Sequence, residues 1–104
     1  MIINDVATLS GIAPKENNVY LKTLAANDAV SFSVSGSKPI NFELWLNMGS
    51  VVSFTFDNSI LWMDGNTVKS TNLPPLFNEA NTLYVIACRY DGTNVIANLA
   101  YKKQ

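Results

Sequence analysis

The stretch from Thr82 to Tyr101 limits what this chain can fold into more than any other part of it. It reads Thr-Leu-Tyr-Val-Ile-Ala-Cys-Arg-Tyr, then Asp91-Gly92, then Thr-Asn-Val-Ile-Ala-Asn-Leu-Ala-Tyr. Asp-Gly between two runs of apolar, β-branched and aromatic residues is a hairpin signal, because a type I′ turn needs two left-handed residues and twists as paired strands twist. With a two-residue turn, Tyr90 pairs with Thr93, Cys88 faces Val95, Ile86 faces Ala97 and Tyr84 faces Leu99. One face of the ribbon is then apolar along its length. A slip by one residue turns every side chain to the other face and would set Asn98 opposite Ile86, so the pattern favours this register. The second face carries Leu83, Val85, Ala87 and Ile96 among Arg89, Asn94 and Asn98. The hairpin is therefore expected to be covered on both sides.

Upstream, residues 1–9 hold short apolar pieces that fit either an edge strand or an arm exchanged with a neighbouring subunit. Ser10-Gly11 and Pro14 to Asn18 read as a loop, and Val19 to Leu24 as a strand. Ala29 to Ser35 alternates strictly, with Val30, Phe32 and Val34 against Ser31, Ser33 and Ser35, as a half-buried strand does. Ile40 to Leu46 alternates again: Ile40, Phe42, Leu44 and Leu46 point inward, Asn41, Glu43 and Trp45 outward. Val51 to Phe56 makes another strand, and Ile60 to Lys69 a short second hairpin about Asp64-Gly65. Ser70 to Ala80, with Pro74-Pro75, is a connection, since proline removes ladder donors. No segment of helical length has a helical period. The fold class expected is all-β, an antiparallel β-sandwich or jelly-roll-like barrel of about seven or eight strands, in one domain over residues 1–104.

Composition narrows the function. A domain this small buries only about 60–65% of its unfolded surface alone. Charged residues are 14% of the chain and hydrophobic ones 48%, against a usual charged share of about 25%. Part of its surface is expected to be covered by partners. A net charge of −1, with only Lys102 and Lys103 adjacent among the basic residues, offers no patch for phosphates, so nucleic acid is not expected as a ligand. The longest apolar run, Leu83 to Cys88, is far short of the roughly 20 residues that cross a bilayer, and no membrane partner is expected. The start, Met-Ile-Ile-Asn-Asp, lacks a secretory pattern, so synthesis in a cytoplasm is expected. Cys88, the single cysteine, reads as a packed, inert thiol.

Catalytic chemistry finds little to use. With no histidine in the chain, Ser-His and Cys-His nucleophiles are ruled out and the usual general base is missing. Asp57, Asp64 and Asp91 all sit in turns, where aspartate is favoured for local hydrogen bonds. Asp64-Gly65-Asn66 begins like a calcium loop but lacks the later acidic ligand. No enzyme activity, cofactor or metal site is expected. Trp45 is the feature that stands out, projecting from the face that also shows Asn41, Glu43 and Asn47. Those four residues are the candidate contact set. The ring suits a subunit interface, cover under a loop of the same chain, or a stacking platform for a sugar. Trp62, beside its turn, reads as packed. Thirteen asparagines provide amides for glycans or neighbouring subunits, and also make turns.

From Trp62 onward the order of elements resembles the C-terminal β-modules of tailed-bacteriophage virion proteins, the tail or head fibre tips and capsid decoration proteins. Trp62 with Asp64-Gly65, Pro74-Pro75-Leu76, the apolar Leu83 to Ile86, Tyr90-Asp-Gly-Thr93 and an Ala-rich closing strand carry the resemblance, over residues 62–104. The chain lacks the tryptophan that commonly follows Asp-Gly-Thr in such modules. The resemblance implies a non-enzymatic structural protein of the virion, assembled in the host cytoplasm as a homo-oligomer, a trimer in most such modules, beside other capsid or tail proteins, with a host-surface glycan as a further partner. The rival reading is a small lectin-like carbohydrate-binding module working as a monomer.

Overall fold

The computed structural model describes residues 1–69 and 74–104. Among these residues there is no helix, and nine strands form: β1 (Ile2–Asp5), β2 (Asn18–Leu24), β3 (Asp28–Val30), β4 (Ile40–Met48), β5 (Phe54–Phe56), β6 (Ile60–Asp64), β7 (Thr67–Val68), β8 (Thr82–Tyr90) and β9 (Val95–Lys103). Seven of them make one sheet in the order β1-β2-β4-β8-β9-β6-β7, and β3 pairs with β5 in a second, two-stranded sheet.

The all-β expectation holds, while the expected antiparallel pairing is corrected. The central trio β4-β8-β9 is antiparallel, but β1-β2, β2-β4, β6-β9 and β3-β5 pair in parallel. The cause is connection length. Antiparallel neighbours can be joined by a tight turn, whereas parallel neighbours need a crossover of a dozen or more residues. Residues 6–17 between β1 and β2, and the long path from β6 through β7 and β8 to β9, provide such crossovers. The stretches expected as strands over Ala29–Ser35 and Val51–Phe56 are shorter as ladders than their patterns promised, only β3 and β5 forming there, whereas the alternating Ile40–Leu46 stretch pairs along its whole length within β4. Past Val30 the chain makes only an isolated parallel bridge, Phe32 with Ile12, where the amides of Ser31 and Ser33 donate to the carbonyls of Leu9 and Ile12. Residues 1–9 supply an edge strand, and Leu9 is fully buried in the core.

The final hairpin forms, with its register moved by two. Tyr90 pairs with Val95, Cys88 with Ala97 and Ile86 with Leu99, around a four-residue loop, Asp91 to Asn94. Gly92 has φ +98°, but Asp91 is not among the residues with positive φ, so the I′ turn is not adopted. Instead the Asp91 carboxylate accepts the amides of Thr93 (2.9 Å) and Asn94 (2.8 Å). These bonds hold its pKa below the usual carboxylate value. A shift by two keeps every side chain on its expected face. Beyond Ile86 the register slips at a bulge that leaves Ala100 without a partner.

One face of the large sheet is the core. Tyr20, Leu24, Phe42, Leu44, Leu46, Met48, Tyr84, Ile86, Cys88, Tyr90, Val95 and Ala97 are buried there, with Val30 and Phe56 bringing the small sheet against them. Phe77, from the proline-rich connection, inserts between these layers and meets the rings of Phe54, Phe56, Trp62 and Tyr84 at centroid distances of 4.9–6.0 Å. The expected connection is thus also a plug, anchored where the Glu79 amide donates to the Tyr84 hydroxyl (2.9 Å). The Ser70–Leu73 part of it lies outside the described residues.

Candidate functional site

The opposite face of the seven-stranded sheet has no second sheet on it among the described residues; the two-stranded sheet joins the core on the other side. The hairpin is therefore not covered on both sides as its pattern implied: Ala87 and Arg89 are exposed, and Leu83 and Ile96 are half-buried. This open face presents all four candidate residues of β4. Strand alternation puts Asn41, Glu43, Trp45 and Asn47 on one side, and pairing sets them beside Arg89, Ala87, Val85 and Leu83 of β8.

Two hydrogen bonds organise the polar members. Trp45 Nε1 donates to Glu43 Oε1 (2.9 Å), and Arg89 Nη1 donates to Asn41 Oδ1 (3.0 Å). The Asn41 backbone is fixed as well: its amide donates to Glu16 Oε2 (3.1 Å) and its carbonyl accepts the Asn17 amide (2.8 Å). Asn47 is exposed at the far end of the row.

Trp45 is not an isolated ring on a polar face. Register places Leu21 of β2 on one side of it and Val85 of β8 on the other, and Val85 in turn faces Tyr101 of β9. The result is an apolar stripe, Leu21-Trp45-Val85-Tyr101, across four strands. Val85 is 2% exposed, yet neither it nor Val19 belongs to the core cluster. Both are buried on the open face by their neighbours' side chains. Tyr101 remains 53% exposed. Next to the stripe, the small Ala87 stands in register between Glu43 and Asn98, and shallow depressions of about 210 and 370 Å³ lie on either side of it.

Sequence reasoning found the β4 members and missed Leu21, Tyr101 and Arg89 as their companions. The β4 alternation was readable within one strand. The neighbours depend on the parallel β2-β4 pairing and on the bulge in β9, and neither leaves a local signal.

The polar groups of this face are largely engaged with one another. Its carboxylate, Glu43, is committed to the indole. Cys88 lies beneath on the core side, and its burial, with the Glu43 charge adding, pushes the thiol far above its ordinary pKa. Among the described residues no three of His, Cys, Asp and Glu gather as a metal site would need. Comparison with protein-family models, curated proteins and solved structures finds no match to this chain.

Proposed function

We propose that the chain is a non-enzymatic structural module of a tailed-bacteriophage particle, a fibre tip or capsid decoration, that assembles as a homo-oligomer through the open face of its large sheet. The apolar stripe carries this reading. An aromatic anchor flanked by aliphatic neighbours, with bound polar groups on its rim, is the composition of an interface centre. A contiguous apolar patch on an unlayered sheet face marks an association surface. The resemblance of residues 62–104 supplies the virion setting and the trimeric expectation. In such a trimer each copy turns its open face toward its neighbours, which provide the second layer that a β-sandwich needs. Glu43 and Asn41 spend hydrogen-bonding capacity on Trp45 and Arg89. That favours a protein contact over a sugar stacked on Trp45.

The test is molar mass at micromolar concentration by sedimentation or light scattering. A stable oligomer is expected, and a clean monomer overturns the proposal. Trp45→Ala should raise the dissociation constant at least about thirtyfold, corresponding to ~2 kcal/mol for loss of an interface anchor. Folding of the separated subunit should change less, since Phe42, Leu44 and Leu46 hold β4 from the other face. A variant that assembles as tightly as the parent while its subunit melts several degrees lower would make Trp45 a residue of its own sheet only.

A further inference from the structure

We infer that the cleft where β6 parts from β9 binds a neutral, hydroxylated ring of the kind a sugar residue presents. The ladder between these strands ends at Trp62↔Ala97, and beyond it Met63 and Asp64 pair with β7 instead. The β9 side of β6 is thereby left open next to Asn98 and Leu99. The opening is a cleft of about 350 Å³ lined by Trp62, Asp64, Lys69, Pro75, Asn98 and Leu99 together with Met63. That size falls at the lower end of the roughly 300–1,000 Å³ typical of small-molecule sites.

The observation that points to a ligand is Trp62. Its side chain is 98% buried, and its Nε1 is, among the described residues, the one buried side-chain polar atom without a hydrogen-bond partner. The other buried polar residues are satisfied. Asn18 donates to the Glu16 carbonyl and accepts from Asn4, and Thr82 donates to the Ala80 carbonyl. A buried N–H without an acceptor is costly and needs an explanation in a native protein, and an acceptor entering by the cleft that Trp62 lines supplies one.

The rest of the lining specifies what that acceptor belongs to. The indole asks for an oxygen, and the Asp64 carboxylate for a hydroxyl donor. The Asn98 amide takes either, and Leu99 and Pro75 give an apolar wall for a ring's C–H face. Lys69 and Asp64 bring one charge of each sign, so the cleft selects neither an anion nor a cation. Sugars offer alternating acceptors and donors around a partly apolar ring, which matches this set. The cleft lies apart from Trp45 and meets the edge of the open face at Met63 and Asn98.

The experiment is a titration of the full ¹⁵N-labelled chain with free glucose, galactose, mannose, N-acetylglucosamine and N-acetylgalactosamine, followed at the two indole N–H resonances. Trp45, already bonded to Glu43, is the internal control, and Trp45→Phe assigns the pair. At least one sugar should shift the Trp62 resonance saturably and leave that of Trp45 in place. Asp64→Ala and Asn98→Ala are exposed substitutions that spare the core. Each should weaken that sugar roughly fivefold, the effect of one net hydrogen bond. No response of Trp62 to any of the five sugars would mean that water satisfies the indole and would overturn the inference. A response that neither substitution weakens overturns it as well, by placing the sugar elsewhere.

Discussion

Replacing Gly92 and Gly65 by alanine, one at a time, separates two costs that usually come mixed. Both glycines have positive φ, +98° and +63°. A side chain in the left-handed region costs roughly 1–2 kcal/mol, and alanine returns about 0.4–1 kcal/mol by restricting the unfolded chain. Nothing lies within 4 Å of a Cβ built at Gly65, so Gly65→Ala should lose only the difference, about 1 kcal/mol. A Cβ at Gly92 would sit 2.7 Å from the Ser37 carbonyl oxygen and 3.3 Å from its carbon. That backbone is poorly placed to retreat, because the neighbouring Gly36 carbonyl accepts the hydroxyl of the buried Tyr90. Forcing such a contact typically costs a further 1–3 kcal/mol or so. Gly92→Ala should therefore fall by roughly 2–4 kcal/mol in all. Thermal melts followed by circular dichroism at one protein concentration give the readout. At about 4–8 °C per kcal/mol for a domain of this size, Gly65→Ala should melt several degrees low and Gly92→Ala roughly 8–32 °C low, with Gly92→Val lower still. Equal melting temperatures for the two alanine variants would show that the hairpin loop moves freely off Ser37, and the steric reasoning would fail.

Two further outcomes follow from the packing and the ion pairs. Ile86, fully buried between Leu44 and Leu99 in the central ladder, loses three carbons on substitution by alanine. At about 0.8 kcal/mol each plus the cavity left behind, the cost is about 3–4 kcal/mol, measurable as a shifted urea midpoint; a loss under 1 kcal/mol would move the core away from this ladder. Asp28 has its pKa lowered chiefly by the hydrogen bond from Lys22, against a smaller opposing effect of burial. A depressed carboxylate stabilises the fold above its unfolded pKa near 4 and loses that contribution as pH falls through the lower folded value. Asp28→Asn should consequently flatten the fall in melting temperature below about pH 4, and an unchanged acid slope would remove this pair from the acid response.

The inward pattern was legible and the pairing was not. Phe42, Leu44 and Leu46 on β4, and Ile86 and Cys88 on β8, are buried where alternation put them, because a pleated strand fixes side-chain direction residue by residue. The hairpin turn was misjudged by two residues at its tip because Asp91 can either enter a left-handed turn or cap the loop with its carboxylate. Asp-Gly serves both, and only the second uses Thr93 and Asn94 as loop residues. Phe77 was hidden since a single aromatic in a proline-rich segment has no period to read. At the candidate site, Trp45 and Glu43 could be placed from one strand's alternation. The stripe around them is made by pairs distant in sequence, β2 with β4 and β8 with β9, which local patterns do not encode.

The position of β8 in the middle of the sheet also governs the order of events during synthesis. Its two neighbours are β4, whose ladder partners lie 34–50 residues earlier, and β9, made directly after it. Until residues 82–103 have left the ribosome, the inward faces of β4 and β6 have no central ladder to join, and Phe42, Leu44, Leu46 and Trp62 stay without their final cover. Until then the nascent chain carries exposed strand edges, the condition under which β-rich chains associate wrongly with one another. The closing hairpin, quick to form because its partners are adjacent, then acts as a template on which the waiting strands settle from both sides.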